Sequence, residues 1–258
     1  MLSQIEDKLQ LFDTITLAEM EKVKLMNRVD TKFLVTTEQL METLDRIHDR
    51  YFVQFNEGRR IADYNTLYYD TPDLKMYIAH HDRKLNRQKL RARIYVDSGI
   101  AFCEVKNKNN KGRTKKKRIP MNPSDFNDML SRDENRSFVS EFLHYDVNSL
   151  SPVLENKFTR ITLVNVEKTE RLTIDMNVNL INRVTGKSAC IPNLVIIELK
   201  QDGLCPSYFR DVLLDLRIKQ KRISKYCLGT FLTNPKAKAN RFRRKMRYIE
   251  KLCNIKLI

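Results

Sequence analysis

The chain has 258 residues, 41% of them hydrophobic and 31% charged, with a net charge of +16. That length supports a substantial core, and only six glycines and seven prolines argue against long low-complexity linkers. Five cysteines without a CxxC pair argue against a disulfide framework, and four histidines without Cys/His spacing argue against a zinc site.

The first segment, MLSQIEDKLQLF, lacks a secretory pattern, and Leu2, Ile5, Leu9 and Phe12 recur at helical spacing. No run reaches the roughly 18 apolar residues of a membrane span, so the expected location is the cytoplasm. Thr16 and Glu19 predict a capping box for a helix to about Leu25. A strand is expected over about 28–35. Thr36 and Gln39 then box a helix carrying Leu40, Leu44 and Ile47 on one face. Strands follow at about 62–70, 88–96, 100–107 and 113–119. Short helices near about 124–131 and 137–144 come after Pro120, and His80 and His81 read as loop or helix-end residues. Strands resume at about 157–166, 169–180 and 194–200. Ser207 and Ser224 are candidate caps for helices reaching Leu216 and Leu232. A last helix over about 236–253 carries Phe242, Met246, Ile249 and Cys253 on one stripe. Neighbouring runs of strands favour an antiparallel sheet or barrel with attached helices, hence α+β.

The charge is localised. Residues 106–118, KNKNNKGRTKKKR, hold eight Lys/Arg and no acid; residues 233–258 hold nine and one Glu. A basic excess of this kind implies a polyanionic partner: nucleic acid, an anionic membrane or phosphate chains.

Strand after strand alternates charge with apolar side chains. In KLRARIY, Arg91 and Arg93 share a parity opposite Leu90, Ala92 and Ile94. Arg28, Asp30 and Lys32 do the same, as do Glu104, Lys106 and Lys108, then Arg171, Thr173 and Asp175, then Glu198 and Lys200; Arg160 lies between Phe158 and Thr162. One reading is a half-exposed sheet with its polar face in water. The other is a barrel with a charged lumen and an apolar exterior under helices. A lumen of like charges is costly when empty and natural around an anion. Glu104 and Glu198 among such cations would suit Mg²⁺ or Mn²⁺ bridging carboxylate and phosphate oxygens.

RVDTKFLV, YNTLYYDTPDLKMY, KLRARIY, FCEVKNK, KFTRITL, RLTIDMNVNL, VIIELK and SKYCLG occur in the order seen in the VTC domain. This ordered set resembles the polyphosphate polymerase module of the vacuolar transporter chaperone, a relative of the triphosphate tunnel (CYTH) metalloenzymes. The resemblance covers roughly residues 20–232 and implies a closed antiparallel eight-stranded tunnel with helices packed outside. That places a tunnel domain at 1–232, with the basic segment 233–258 as part of it or covering it. It implies phosphate ligands at Lys32, Arg91, Arg93, Lys106, Arg160, Arg171, Lys200 and Lys225, with Lys115 or Lys117 from RTKKKR. Glu198 is similar to the family's metal-binding glutamate, and Glu104 or Asp175 could assist. The expected activity is transfer of the γ-phosphate of ATP to a growing polyphosphate chain with Mn²⁺ or Mg²⁺, with Arg91, Arg93, Lys106 and Glu198 central. The N-terminal ExExK signature of the triphosphatases is replaced by RVDTK, which argues against simple hydrolysis. A tunnel phosphohydrolase is the second reading. A nucleic-acid-binding protein is the third, weakened by the absence of an RRM aromatic signature, helix-turn-helix or zinc finger. The basic terminal helix could lie at the inner face of a membrane, cover a tunnel end or be solvated.

Overall fold

Period-two alternation over eight strands builds one continuous antiparallel path. The computed structural model describes residues 2–21, 23, 28–203 and 205–257. The chain begins with α1 (Leu2–Leu9), β1 (Thr14–Thr16), α2 (Leu17–Glu21), β2 (Arg28–Val35), α3 (Thr37–Ile47) and β3 (Tyr51–Phe55). Next come β4 (Ala62–Asp70), α4 (Lys75–His81), β5 (Arg87–Tyr95), β6 (Ile100–Lys108), β7 (Thr114–Met121) and α5 (Asp133–Phe142). The chain closes with β8 (Ser151–Asn165), β9 (Glu170–Asn182), β10 (Ser188–Cys190), β11 (Val195–Asp202), α6 (Tyr208–Asp215), α7 (Lys225–Thr233) and α8 (Asn240–Cys253). The path order is β2-β11-β9-β8-β4-β5-β6-β7.

The apolar faces point outward, under helices. Phe33, Val35, Ile161, Leu163, Leu172, Ile174, Ile197 and Leu199 share a core with Leu9 of α1, Leu40 and Leu44 of α3, and Phe209 and Leu213 of α6. Leu67, Tyr69, Leu90, Ala92, Cys103 and Val105 pack with Phe126, Met129 and Leu130 of the 123–131 segment and with Phe138 and Val139 of α5. The inner face is charged over most of its length. A third core, with Tyr226 and Leu228 of α7 and Phe242, Met246 and Ile249 of α8 on Leu154, Val178 and Leu180, covers one end of it. Val178 and Leu180 reach that side because β9 carries one extra residue opposite Lys157–Thr159, with Asn177 at φ 52°.

The expected closed barrel is corrected here. β2 and β7 end the path, and among the described residues no pairing joins them. The free edge of β2 is occupied instead: Phe33 bridges Gln220, and the Lys221 N–H donates to the Lys32 carbonyl at 2.7 Å. β7 is exposed along most of its length and carries four consecutive cations before Pro120, a composition that resists edge pairing. The result is a curled half-barrel.

Local signals placed most helices. The Thr36/Gln39 capping box forms, Ser207 and Ser224 cap α6 and α7, and the Thr16/Glu19 pair opens α2. Positions expected helical beyond Glu21 lie partly outside the described residues. The stretch expected as a helix near 124–131 is a 3-10 segment kinked at Asp128. α4 has no local cap: Leu74 precedes it in the left-handed region, and the buried Asp70 carboxylate accepts the Met76 and Tyr77 N–H groups. β8 starts at Ser151, before the expected position, because Pro152 is accommodated at a register shift against Tyr69. β1, β3 and β10 are too short to leave a periodic signal.

Gly229 on α7 marks a close helix–sheet approach. An added Cβ would lie 2.5 Å from Cδ2 of Leu154 and 3.0 Å from Leu180. Gly229→Ala should therefore destabilise the protein by about 1–3 kcal/mol, read as a lower thermal unfolding midpoint with unchanged far-ultraviolet circular dichroism.

Candidate functional site

Alternation on β5 sends Leu90 and Ala92 into the outer core and Arg91 and Arg93 into the concave face. Arg91 donates to Glu104 Oε2, through Nε at 2.7 Å and Nη2 at 2.5 Å. Glu104 is fully buried, and its other oxygen accepts from Lys116 Nζ at 3.1 Å. Burial would raise the Glu104 pKa, but Arg91, then Arg93 and Lys116, hold it well below the usual carboxylate range. Arg93 has no carboxylate partner among the described residues: its Nε donates to Thr66 Oγ1 at 3.2 Å and its guanidinium lies 5.6 Å from the Tyr64 ring.

β8, β9 and α7 meet at Asp175. Arg160 grips it with two bonds, at 2.5 and 2.8 Å, and Lys225 of α7 bonds the same carboxylate. Arg160 also lies over Tyr64 at 4.9 Å and Phe158 at 5.1 Å. On β2 and β11, Glu198 binds Lys32 at 2.9 Å and Lys200 at 3.2 Å, and Lys200 also donates to Thr173 at 3.0 Å. Each carboxylate is therefore flanked by two cations from different chain segments.

The three groups share one space. Lys106 of β6 is held far below the ordinary lysine range by Arg91 first, then by burial and Arg93, with Glu104 and Glu198 offsetting in part. Burial would raise the Glu198 pKa, but Lys32, Lys200 and Lys106 hold it well down. Side chains of β2, β5, β6, β8, β9, β11 and α7 thus converge on the concave face of the half-barrel, where Arg93 lies near Arg160 and Arg160 near Glu198.

The register corrects one expectation. Lys116 lies opposite Lys106 and reaches Glu104, whereas Lys115 and Lys117 take the other parity; Lys117 Nζ sits 5.2 Å from the Phe142 ring on the outer face. Arg171 has the inner parity but is turned to the chain before β2, where its Nη2 lies 3.4 Å from the carbonyls of Met20 and Val23. Lys89 was not anticipated; it shares the Arg91 parity and donates to the α7 cap Ser224 at 2.9 Å. Asp70 was also missed. It ties β4 to α4 and accepts from the Tyr226 hydroxyl of α7, so two of the recurring sequence segments meet there as a structural joint.

Among the described residues no group of three or more His, Cys, Asp or Glu could hold a metal ion. Glu104 fits a metal poorly, since Arg91 and Lys116 occupy both oxygens in a fully buried position. Glu198 is half-buried at the bore wall and fits as the lone protein carboxylate of an ion whose other ligands are phosphate oxygens and water.

Among the described residues no helix is long and apolar enough to cross a membrane. The stripe that a surface-lying terminal helix would need is already used: Phe242, Met246, Ile249 and Cys253 are buried against α4 and α7 side chains. The expected membrane association through 233–258 is thus left without an apolar face to support it.

Two outcomes follow from these charges. Glu104→Ala leaves Arg91 buried without its counter-charge and should destabilise the fold by about 3–5 kcal/mol, seen as a lower urea midpoint. Burial pushes Lys200 and Lys225 from 10.5 down to about 8, with Glu198 and Asp175 opposing and Arg160 adding to the drop. Between about 8 and 10.5 the unfolded chain holds more protons at these two positions, so their contribution to stability rises with pH. Anion binding needs their charged forms. Affinity for tripolyphosphate should therefore fall about tenfold for each lysine, about a hundredfold in all, as pH rises from about 7 to about 9. Calorimetry in buffers of different ionisation enthalpy should detect proton uptake on binding near the midpoint.

No curated protein matches the chain. Among solved structures, a candidate adenylate cyclase from Vibrio parahaemolyticus is 15% identical with a TM-score of 0.46, covering 80% of this chain and 99% of that chain. A Hippeastrum protein, a candidate adenylyl cyclase with a dominant triphosphatase activity, is 13% identical with a TM-score of 0.47, covering 84% and 95%. A protein from Pyrococcus horikoshii is 14% identical with a TM-score of 0.42, covering 78% and 97%. The VTC domain family model matches residues 27–234, which span the whole eight-strand path, and the chain belongs to the VTC domain family.

Proposed function

We propose that this protein is a polyphosphate polymerase that transfers the γ-phosphate of ATP to the end of a polyphosphate chain inside the bore. The observation that carries the reading is a concave wall of cations exceeding its carboxylates, on a chain of the VTC domain family. Arg93 and Lys106 have no ion-pair partner among the described residues, and an anion would supply one.

ATP phosphates lie against Arg91, Arg93, Lys106 and Arg160, with Lys32, Lys200 and Lys225 around them. Arg93 offers a guanidinium fork for two phosphoryl oxygens, and the lysines act as point charges. The acceptor's terminal phosphate oxygen attacks the γ-phosphorus, the bond to the β-phosphate bridging oxygen breaks, and ADP leaves. The acceptor is already ionised, so no side chain has to take its proton. The wall aligns two polyanions that would otherwise repel and stabilises charge on the transferring group. A divalent ion, Mn²⁺ or Mg²⁺, held by Glu198 would neutralise phosphate oxygens during the transfer. The inner parity of β2 presents one acid, Asp30, already bonded to Arg28 at 2.7 Å, where an ExExK strand would present two; this favours transfer over hydrolysis. The reading places the protein in the cytoplasm, where ATP is available.

The purified protein incubated with ATP and Mn²⁺ or Mg²⁺ should yield polyphosphate on a stained gel together with ADP; free phosphate without polymer would overturn the reading. Arg93→Ala should lower the rate about 10²–10³-fold, and polymer made at the unaltered rate would refute the role of Arg93.

A further inference from the structure

We propose that the groove between α8 and the loop at 234–239 is a docking site for an acidic amphipathic helix of a partner protein. The groove has a volume of about 610 Å³. It is lined by the end of α7, the loop, one face of α8 and Lys187, and by no residue of the charged concave wall. Along α7, Lys225 at Asp175 and Phe231 at the groove are roughly 9 Å apart. The proposal therefore stands apart from the polymerase reading.

Phe231, Leu232, Ala237 and Leu257 form an apolar floor, half-buried against the core that α7 and α8 share. Phe231 meets the Phe242 ring edge-on at 6.4 Å. Local bonds fix this floor before any partner arrives. Asn234 Oδ1 accepts the Lys236 N–H at 3.0 Å, and the Asn234 carbonyl accepts the Ala237 N–H, so the loop is held by its own turns. The Thr185 hydroxyl donates to the Thr233 carbonyl at 2.8 Å, which ties the hairpin carrying Lys187 to the end of α7. After α8 the chain reverses at Asn254, in the left-handed region. The Leu257 N–H then donates to Glu250 Oε1 at 2.7 Å, so the one acid of the lining holds Leu257 in place. A groove formed in advance loses little ordering entropy on binding.

α8 carries two stripes. Phe242, Met246, Ile249 and Cys253 are buried, and Arg243, Arg247 and Glu250, one position further round, line the groove. Arg243, Arg247 and Lys187 are exposed and have no ion pair among the described residues; the nearest pair along the chain is Lys238 with Asp82. Arg243 and Arg247 are one turn apart, where like charges oppose a helix. The first turn of α8 also lacks an acid and carries cations against the helix dipole. Carboxylates one turn apart on a helix laid alongside α8 answer both. An apolar floor between cationic edges selects a helix whose apolar face is flanked by Asp or Glu.

Other occupants fit less well. A second copy of this chain brings the same +16 excess and adds repulsion. A nucleic-acid backbone has charge but no apolar row to fill the floor. A bilayer surface is too broad to enter a concave groove.

The test is fluorescence anisotropy with a labelled synthetic helix that has leucine at i, i+3, i+4 and i+7 and glutamate at the flanking positions. The same peptide with glutamine for leucine is the control. Arg243→Gln/Arg247→Gln removes the cationic edge, and Ala237→Trp fills the floor while keeping every charge. Arg244→Gln/Lys251→Gln removes equal charge from exposed positions that do not line the groove. The leucine peptide should bind about tenfold tighter than the glutamine one. Its affinity should fall about tenfold in the Arg243/Arg247 variant and in Ala237→Trp, and stay within about twofold in the Arg244/Lys251 variant. If Ala237→Trp fails to fold, the exposed Arg243/Arg247 pair decides the matter. Tripolyphosphate should not displace the peptide, and its own affinity should be the same in all variants. Equal binding of the two peptides, equal loss in the two charge variants, or no binding to the unaltered protein overturns the docking site. Phosphatidylglycerol vesicles or a single-stranded oligonucleotide held through Arg243 and Arg247, with the peptide not held, overturns it too. The polymerase reading fails only on its own gel assay, so the two failures are distinct.

Discussion

Everything in this molecule is arranged around the confinement of cations on the inside of a curled sheet. Three carboxylates make that confinement tolerable. Glu104 stands between Arg91 and Lys116, Asp175 between Arg160 and Lys225, and Glu198 between Lys32 and Lys200. Each trio joins side chains from at least two strands or a strand and a helix, so the ion pairs also set how the sheet curls. Removing one member of such a group leaves a buried charge uncompensated, which is why these bonds matter more than exposed pairs such as Arg46–Glu42.

The inverted arrangement dictates the rest of the fold. With charge inside, the outer faces of the strands are apolar and must be covered. The N-terminal helices and α6 cover one side, and the 123–131 segment with α5 covers the other. At one end the inner face itself turns apolar, and α7 docks there with Gly229 against Leu154. The same docking brings Lys225 to Asp175 and the Ser224 hydroxyl to Lys89, so a packing contact also completes the charged wall. Among the described residues Arg93 and Lys106 have no ion-pair partner, and an anion on the concave face would supply one.

Much of the fold was legible because its signals are local. The strand over 28–35 coincides with β2, the caps at Thr36, Ser207 and Ser224 form as expected, and the stripe on α8 is buried. α4 was not legible, since its N–H groups are satisfied by Asp70, which precedes it by several residues, and no residue at its start acts as a cap. The start of β8 was missed because Pro152 ordinarily ends a strand, and here a register shift accommodates it. In the site, residues two apart on one strand, such as Arg91 and Arg93, could be assigned a common face. In the run of three lysines at 115–117 parity alone gave no anchor, and only the pairing of β6 with β7 put Lys116 inside.

The amino-acid sequence by itself determined which side chains share a face, where most helices begin, and that the chain carries a basic excess concentrated in two segments. Alternation, capping and charge are properties of neighbours along the chain. Tertiary structure decided which face turns inward, which carboxylate meets which cation, and that the barrel stays open. Those outcomes depend on contacts between distant segments: Gln220 and Lys221 on the edge of β2, Lys225 at Asp175, and Tyr226 at Asp70. The free energy of such contacts comes from burial and counter-charge supplied by residues far away in the chain, and no local pattern encodes that.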